Sequence, residues 1–211
     1  MRDDLNLLAS DVVPVMVKAL LAKPQTTELG DILAAWDFHD SANASAPLIF
    51  HEIWRRLPEQ TLADELGQEL AGRITHTGYY WSQRMHQLIL KGESDWFDKT
   101  DTDKTETLDD IIQMAAMDAQ QSIGEQLGSD ASQWRWGDLH RMEFLNPLRR
   151  TGLGKGWLGG GSHAASGSAH TLYRGIFDLS ERGIRWSLQR RLEWWWIWQT
   201  MKKSLQCCRV V

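Results

Sequence analysis

Five stretches in the first 130 residues carry apolar side chains at the three- and four-residue spacing of an amphipathic helix. This periodicity constrains the fold more than any other feature of the sequence. It predicts helices over residues 5–22, 27–36, 41–66, 80–90 and 108–127. Pro14 indicates a kink or the first turn of a second helix within the first stretch, and Pro58 predicts an interruption of the third.

The last predicted helix has clear end signals. Thr107 followed three residues later by Asp110 is a capping-box pattern, and Gly128 is a typical stop. The polar run 99–105 that precedes this helix is predicted to be a solvated loop. Residues 1–130 are therefore predicted to form a mostly helical region.

Beyond Trp134 the helical spacing gives way to short apolar segments, such as 139–145, and to a glycine- and serine-rich stretch at 152–168. We expect short strands and loops over residues 131–180, which makes the predicted fold class α+β. A length of 211 residues allows one ordinary domain or a substantial part of a larger one.

Residues 181–211 differ from the rest in composition. They hold seven Lys or Arg against two Asp or Glu, which gives this tail a net charge of +5 and the preceding 180 residues −10. The tail also contains five of the twelve tryptophans and the adjacent Cys207 and Cys208. Two adjacent cysteines make neither an ordinary disulfide framework nor a four-ligand metal site.

No apolar run is long enough to span a bilayer, and the N-terminus lacks the apolar core of a signal peptide. The chain as it stands is therefore expected to be cytoplasmic.

A glycine motif at 154–159 satisfies the G-x-G-x-x-G pattern of dinucleotide-binding turns. A dinucleotide site needs a helix directly after the motif, because the helix N-terminus binds the pyrophosphate. Gly160, Gly161 and Ser162 follow instead, so we predict a surface loop.

The histidines lack the spacing of metal-binding motifs, and a structural or surface role is predicted for each. His51 and Glu52 are merely adjacent. Ser162 with His163 is a poor catalytic pair because sequence neighbours rarely reach the geometry of a nucleophile and its base, and both are predicted to lie in a loop. The sequence thus predicts no catalytic, cofactor-binding or metal-binding residue. The seven histidines are His39, His51, His76, His86, His140, His163 and His170.

Three ordered motifs resemble the penicillin acylase family. Residues 33–54, with LAAWD followed by DSANASAPLIFHEIW, are similar to the family signature L…W-D…d-s-x-a-a-x-l-f-x-x-W. Residues 134–140, WRWGDLH, resemble its W-x-W-G-x-x-H element, although Asn146-Pro147 stands where the family usually has His-Pro. Residues 170–175, HTLYRG, look like the end of its G-d-g-x-T-v-x-R loop.

The resemblance implies an αββα N-terminal-nucleophile hydrolase that cleaves linear amides such as penicillins or acyl-homoserine lactones. In that family a serine freed by self-cleavage attacks the amide, with its own α-amino group as base. The chain begins with Met1-Arg2, and the family's oxyanion-stabilising asparagine and calcium ligands lie upstream of the part that the chain resembles. We therefore expect a fragment from the C-terminal part of the β chain that is inactive alone.

The same resemblance implies the partner and the compartment. The partner would be the rest of the acylase, meaning its α chain and the N-terminal region of its β chain. The full-length parent would be periplasmic. This interpretation includes no nucleic-acid partner.

The residues within these motifs favour packing roles over substrate contact. Trp36, Trp54, Trp134 and Trp136 would each contribute roughly 1.5–3 kcal/mol or more by burial. The Asp and Ser residues between them suit helix starts.

The tail is compatible with a family strand read in the wrong frame. Reading from the third base of each codon turns Trp194–Trp196 into Val-Val, followed by Asp, Leu or Met, and Ala. This resembles the family's R-M-V-V-D-L strand, so a one-base slip between about Ser180 and Arg190 is expected.

A competing interpretation is a non-enzymatic helical interaction module. In it, the tryptophans and basic residues of the tail lie on an anionic membrane or bind single-stranded nucleic acid.

Overall fold

A computed structural model describes residues 3–76, 80–144 and 161–173, together with the backbone of two short strands at 177–178 and 185–186. It is an α+β structure, as predicted, with most of the described residues in helices. The helices are α1 (Leu7–Leu21), α2 (Thr27–Ala34), α3 (Ala46–Leu66), α4 (Gln68–His76), α5 (Tyr80–Lys91), α6 (Leu108–Leu127) and α7 (Trp136–Leu139), with 3₁₀ turns at Asp95–Phe97 and Ala131–Gln133.

The four strands are β1 (Arg141–Phe144), β2 (Gly161–Ala164), β3 (Phe177–Asp178) and β4 (Arg185–Trp186). They form one sheet in the order β2-β1-β4-β3. β1 pairs antiparallel with β2 and parallel with β4, and β3 pairs antiparallel with β4. Apart from β4, the predicted frame-shifted tail lies outside the described residues.

The helix that carries the capping box begins and ends at the predicted residues. The Thr107 side chain accepts a hydrogen bond from the backbone N–H of Asp110, and the Asp110 side chain accepts one from the backbone N–H of Thr107. The helix ends at Gly128, where the positive φ of 94° favours glycine. Lys104 from the exposed loop before it lies 2.8 Å from the Asp110 carboxylate and, as the largest cause, lowers the pKa of Asp110 to about 2.

The predicted interruption near Pro58 is wrong. α3 continues past this residue to Leu66, and Pro58 is itself buried within the helix. A proline removes one backbone hydrogen bond, and burial of the surrounding turns offsets that loss. α1 is likewise a single helix that contains Pro14.

α3 is the centre of the helical region. Every residue from Ala46 to Trp54 is buried, because α2, α4 and α6 pack around this helix. The predicted tryptophan core is confirmed: Trp134 and Trp136 are fully buried, and Trp36 and Trp54 are nearly so. Among the described residues, no helix is long and apolar enough to cross a bilayer.

Candidate functional site

Three distant parts of the chain meet at Asp40, whose side chain is completely buried. The Asn6 side-chain amide donates to the Asp40 carboxylate at 3.1 Å, and His51 Nε2 donates to it from the same distance. The Asp40 backbone is also bonded on both sides, since its N–H donates to Asp4 and its carbonyl accepts from Gly167 at 2.7 Å. We call Asn6, Asp40, His51, Trp136 and His140 the Asp40 centre.

Local structure fixes the two donors of this centre. Asn6 is the N-cap of α1, and its side-chain oxygen accepts a hydrogen bond from Ala9 N–H at 3.0 Å. The opposite end of that amide is then free to donate to Asp40. His51 is held by the buried first turns of α3. The carboxylate is therefore met by two donors whose positions are set by helices.

Four rings of the region are stacked in a column. His51 lies between His170 and Trp136, with ring centroids 6.2 Å and 4.6 Å away, and Trp136 in turn stacks on His140 at 4.5 Å. The planes of successive rings differ by 8°, 24° and 14°. Contacts of this kind contribute about 0.5–1.5 kcal/mol each beyond area burial.

His140 ends the column and is fully buried. Its Nδ1–H donates to the Ala165 carbonyl at 2.7 Å. Burial, as the largest cause, lowers the pKa of His140 to about 4, and nearby His51 adds to the effect against the opposing influence of the Ala165 bond and Asp40. His140 is thus a neutral imidazole at pH 7.

Residues 161–173 cross the centre and are fastened to it along their length. Ala165 N–H donates to the His140 carbonyl at 3.0 Å, and Ala42 N–H donates to the Ser166 hydroxyl at 3.1 Å. The Trp136 indole N–H donates to the Gly167 carbonyl at 3.1 Å. This segment is therefore bonded to the centre at several successive residues.

Two glycines allow these close crossings. Gly167 has a φ of 80°, and a Cβ atom there would lie 2.1 Å from the Tyr173 carbonyl oxygen. A Cβ on Gly137 would lie 2.6 Å from the Ala164 Cβ. Neither position has room for a side chain unless the backbone moves.

A second buried carboxylate lies next to the centre on α3. Glu52 is 3% exposed, and Arg55 donates to it at 3.0 Å while Arg56 also pairs with it. Burial alone would raise the pKa of Glu52, but the two arginines more than offset it and hold the pKa below its usual value. The adjacent His51 and Glu52 therefore belong to two separate polar networks.

The structure brings together three of the histidines that sequence spacing keeps apart. His51, His140 and His170 share one column, although no short motif links them. The exposed His39 ring donates a hydrogen bond to the Asp4 carboxylate, which raises the pKa of His39, and His86 lies 3.3 Å from Asp11.

The Ser162 and His163 pair lies in strand β2, so its predicted placement in a loop is wrong. Both residues are exposed, and the Ser162 hydroxyl accepts a hydrogen bond from Arg141 Nε at 3.0 Å. The pairing of β2 with β1 explains the error, because the glycine- and serine-rich composition of this stretch disguised a strand. The glycine motif at 154–159 and the His76 side chain lie outside the described residues.

Asp40 is the residue that the sequence did not single out. The Asp and Ser residues of 37–45 were predicted to start helices, but Asp40 is a buried acceptor and Ser45, which precedes α3, donates to the Trp134 carbonyl instead of capping. An Asn directly before an apolar helical stretch is a detectable N-cap signal at Asn6. Asp40, the second partner of the Asn6 side chain, lies 34 residues away, and no local pattern predicts this contact.

The arrangement suits structural support better than acid-base chemistry. The Asp40 carboxylate is shielded from solvent and accepts hydrogen bonds from Asn6 and His51. Within the ranges that the structure describes, no three His, Cys, Asp or Glu side chains are grouped so as to hold a metal ion.

Comparison with known proteins gives one family and several relatives. Residues 1–203 match the family model described as penicillin amidase, which extends beyond the motifs at 33–175. A protein named acyl-homoserine lactone acylase QuiP from Pseudomonas aeruginosa is 26% identical over 166 residues, covering 71% of this chain and 20% of the relative. Proteins of the same name from Pseudomonas syringae pathovars tomato and syringae are 28% and 27% identical over 164 and 146 residues, covering 73% and 66% of this chain and 18% of each relative. The chain thus spans about a fifth of the length of these relatives.

Proposed function

The chain belongs to the penicillin amidase family, and from this premise we propose that it is part of an enzyme that hydrolyses the amide bond of N-acylated small molecules. The family match over residues 1–203 is the observation that carries the proposal. Acylase-type amide hydrolysis is the activity that the family and its relatives have in common. The names of the relatives favour acyl-homoserine lactones among the possible substrates, with penicillins as the second class.

We propose that this chain and the rest of the enzyme have different roles. Amide hydrolysis needs a nucleophile and a base that substrate can reach, whereas the Asp40 centre is buried and satisfied by its own hydrogen bonds. The described residues would then support the fold, and the nucleophile, the oxyanion-stabilising asparagine and any calcium ligands would come from the rest of the enzyme. That remainder is the proposed partner, and the whole enzyme would be periplasmic, as the family resemblance implies.

An exchange of segments tests the acylase proposal. The segment of the Pseudomonas aeruginosa relative that matches this chain is replaced by the corresponding residues of this chain, and release of homoserine lactone from an acyl-homoserine lactone is measured. We expect hydrolysis, because the transplanted segment would supply the same packing against the catalytic part.

The matched control is a chimera that carries the equivalent segment of the Pseudomonas syringae pathovar tomato relative. If the control chimera is active while the test chimera is folded and shows no hydrolysis, the proposal is wrong.

For the tail we propose a one-base slip between about Ser180 and Arg190. The support is the compatibility of its tryptophan codons with a Val-Val-Asp sequence one frame over. Resequencing the DNA of this stretch is the test. A codon series that cannot encode Val-Val-Asp-Leu-Ala in the shifted frame would end the idea.

A further inference from the structure

The segment 161–173 is attached to the molecule differently from the helices. Apart from the ring contacts of His170, its fastenings are hydrogen bonds that involve its backbone or a hydroxyl group, and Ala165 is its one buried apolar side chain. The helices, in contrast, share a continuous apolar core. Segments with few buried apolar contacts open at a lower free-energy cost than the core does. The segment can therefore open while the helices remain folded.

His140 is placed where this segment is fastened. Its carbonyl accepts from Ala165 N–H and its ring donates to the Ala165 carbonyl, so a single residue makes two bonds to the same point of the segment. When the segment opens, both bonds break, and the fully buried ring loses its hydrogen-bond partner.

The charged and titratable groups around His140 come from each neighbouring element. His51 on α3 disfavours a positive charge on His140, and Asp40 in the preceding loop favours it. His170 lies on the far side of His51 within the column. Arg141, the next residue along the chain, is exposed and directed to Ser162. Burial outweighs these influences.

We propose that protonation of His140 releases the 161–173 segment in mildly acidic solution while helices α1 to α6 stay folded. The closed form holds a neutral imidazole away from water, whereas the open form exposes it and binds the proton more readily. Acid therefore favours the open form by mass action.

The size of the effect follows from the two proton affinities. The pKa of His140 is about 4 in the closed form, and an exposed imidazole has a pKa of about 6.5. The sign is that of a lowered pKa, so the closed form loses stability as pH falls from about 6.5 towards 4. Linkage gives an increase of about 50-fold in the opening equilibrium between pH 7 and pH 4.5.

Amide hydrogen exchange on the 211-residue chain tests the proposed acid-dependent opening of the 161–173 segment. Protection factors, corrected for the intrinsic pH dependence of exchange, are compared at pH 7 and pH 4.5 for the amides of Ala165, Gly167 and Tyr173. We expect the protection of these amides to fall about 50-fold. The amides of α6 serve as the internal reference and should change little.

Two variants test whether His140 is the residue that responds to pH. His140→Asn keeps a side-chain N–H for the Ala165 carbonyl but takes up no proton, so the pH response of the segment should disappear. His163→Asn alters an exposed histidine of the same segment and should leave the response intact.

Three outcomes would overturn the proposal: unchanged protection of the segment at pH 4.5, an equal loss in α6, or a response that persists in His140→Asn. If that variant does not fold, a ring titration of His140 by NMR in the wild type decides instead. A midpoint near that of an exposed imidazole with the segment still protected would contradict the proposed opening.

Discussion

Asp40 carries the heaviest energetic demand of any residue in the centre. A carboxylate removed from water costs several kcal/mol unless donors replace its hydration. Asn6 and His51 supply those donors, each at 3.1 Å. The same residue also bonds through its backbone to the strand-like segment before α1 and to Gly167. Its side chain and backbone thus join residues that lie more than a hundred positions apart in the sequence.

Replacement of Asp40 by Ala should lower the free energy of unfolding by about 3 kcal/mol, because it leaves two buried donors without an acceptor. Urea denaturation measures the change. Asp37→Ala is the matched control, since Asp37 is exposed and accepts only the His39 backbone N–H, and it should cost no more than about 0.5 kcal/mol. Equal losses in the two variants would show that Asp40 is not a structural centre.

At the residue scale, apolar burial could be predicted and polar pairing could not. The four motif tryptophans are buried as expected, because a large apolar side chain within a helical or motif pattern has few alternatives. The role of Asp40 depends on Asn6 and His51, which reach it only after α1 and α3 have packed. Local sequence favours a capping role for such an aspartate, and tertiary structure overrides it.

At the scale of elements, periodicity predicted five helices and missed α4. The reason is the length of this helix. α4 is only nine residues long, which is shorter than the stretch over which helical periodicity can be recognised. The sequence predicted short strands but not which strands pair. The pairing could not be predicted because the parallel pair of β1 and β4 joins residues about 44 positions apart.

The turn at Gly167 in the 161–173 segment gives a testable prediction. Gly167→Ala should lower the free energy of unfolding by roughly 2–4 kcal/mol, since a Cβ would collide with the Tyr173 carbonyl at a positive φ. Gly124→Ala is the opposite control, because a Cβ at this position in α6 meets no atom within 4 Å. It should stabilise the chain by about 0.5–1 kcal/mol. Thermal or urea unfolding compares the two variants, and a Gly167→Ala variant as stable as the wild type would contradict the close approach.

On the scale of the whole molecule, the family could be identified from ordered motifs, and the comparisons confirm it. Two of those motifs supply residues of the Asp40 centre, namely Asp40 with His51 and Trp136 with His140, and the third contributes His170 to the column. Their common location gives a physical reason for the pattern, because each motif supplies one side of a single packed junction. Sequence alone placed the motifs in order but gave no distance between them.

We propose that this chain supports the fold of the enzyme and that the rest of the enzyme carries out amide hydrolysis. The most direct test is the release of homoserine lactone from an acyl-homoserine lactone by the purified 211-residue chain, with an intact Pseudomonas aeruginosa relative as the positive control. We predict no release above the buffer blank. Sustained turnover that scales with the concentration of the chain would contradict it.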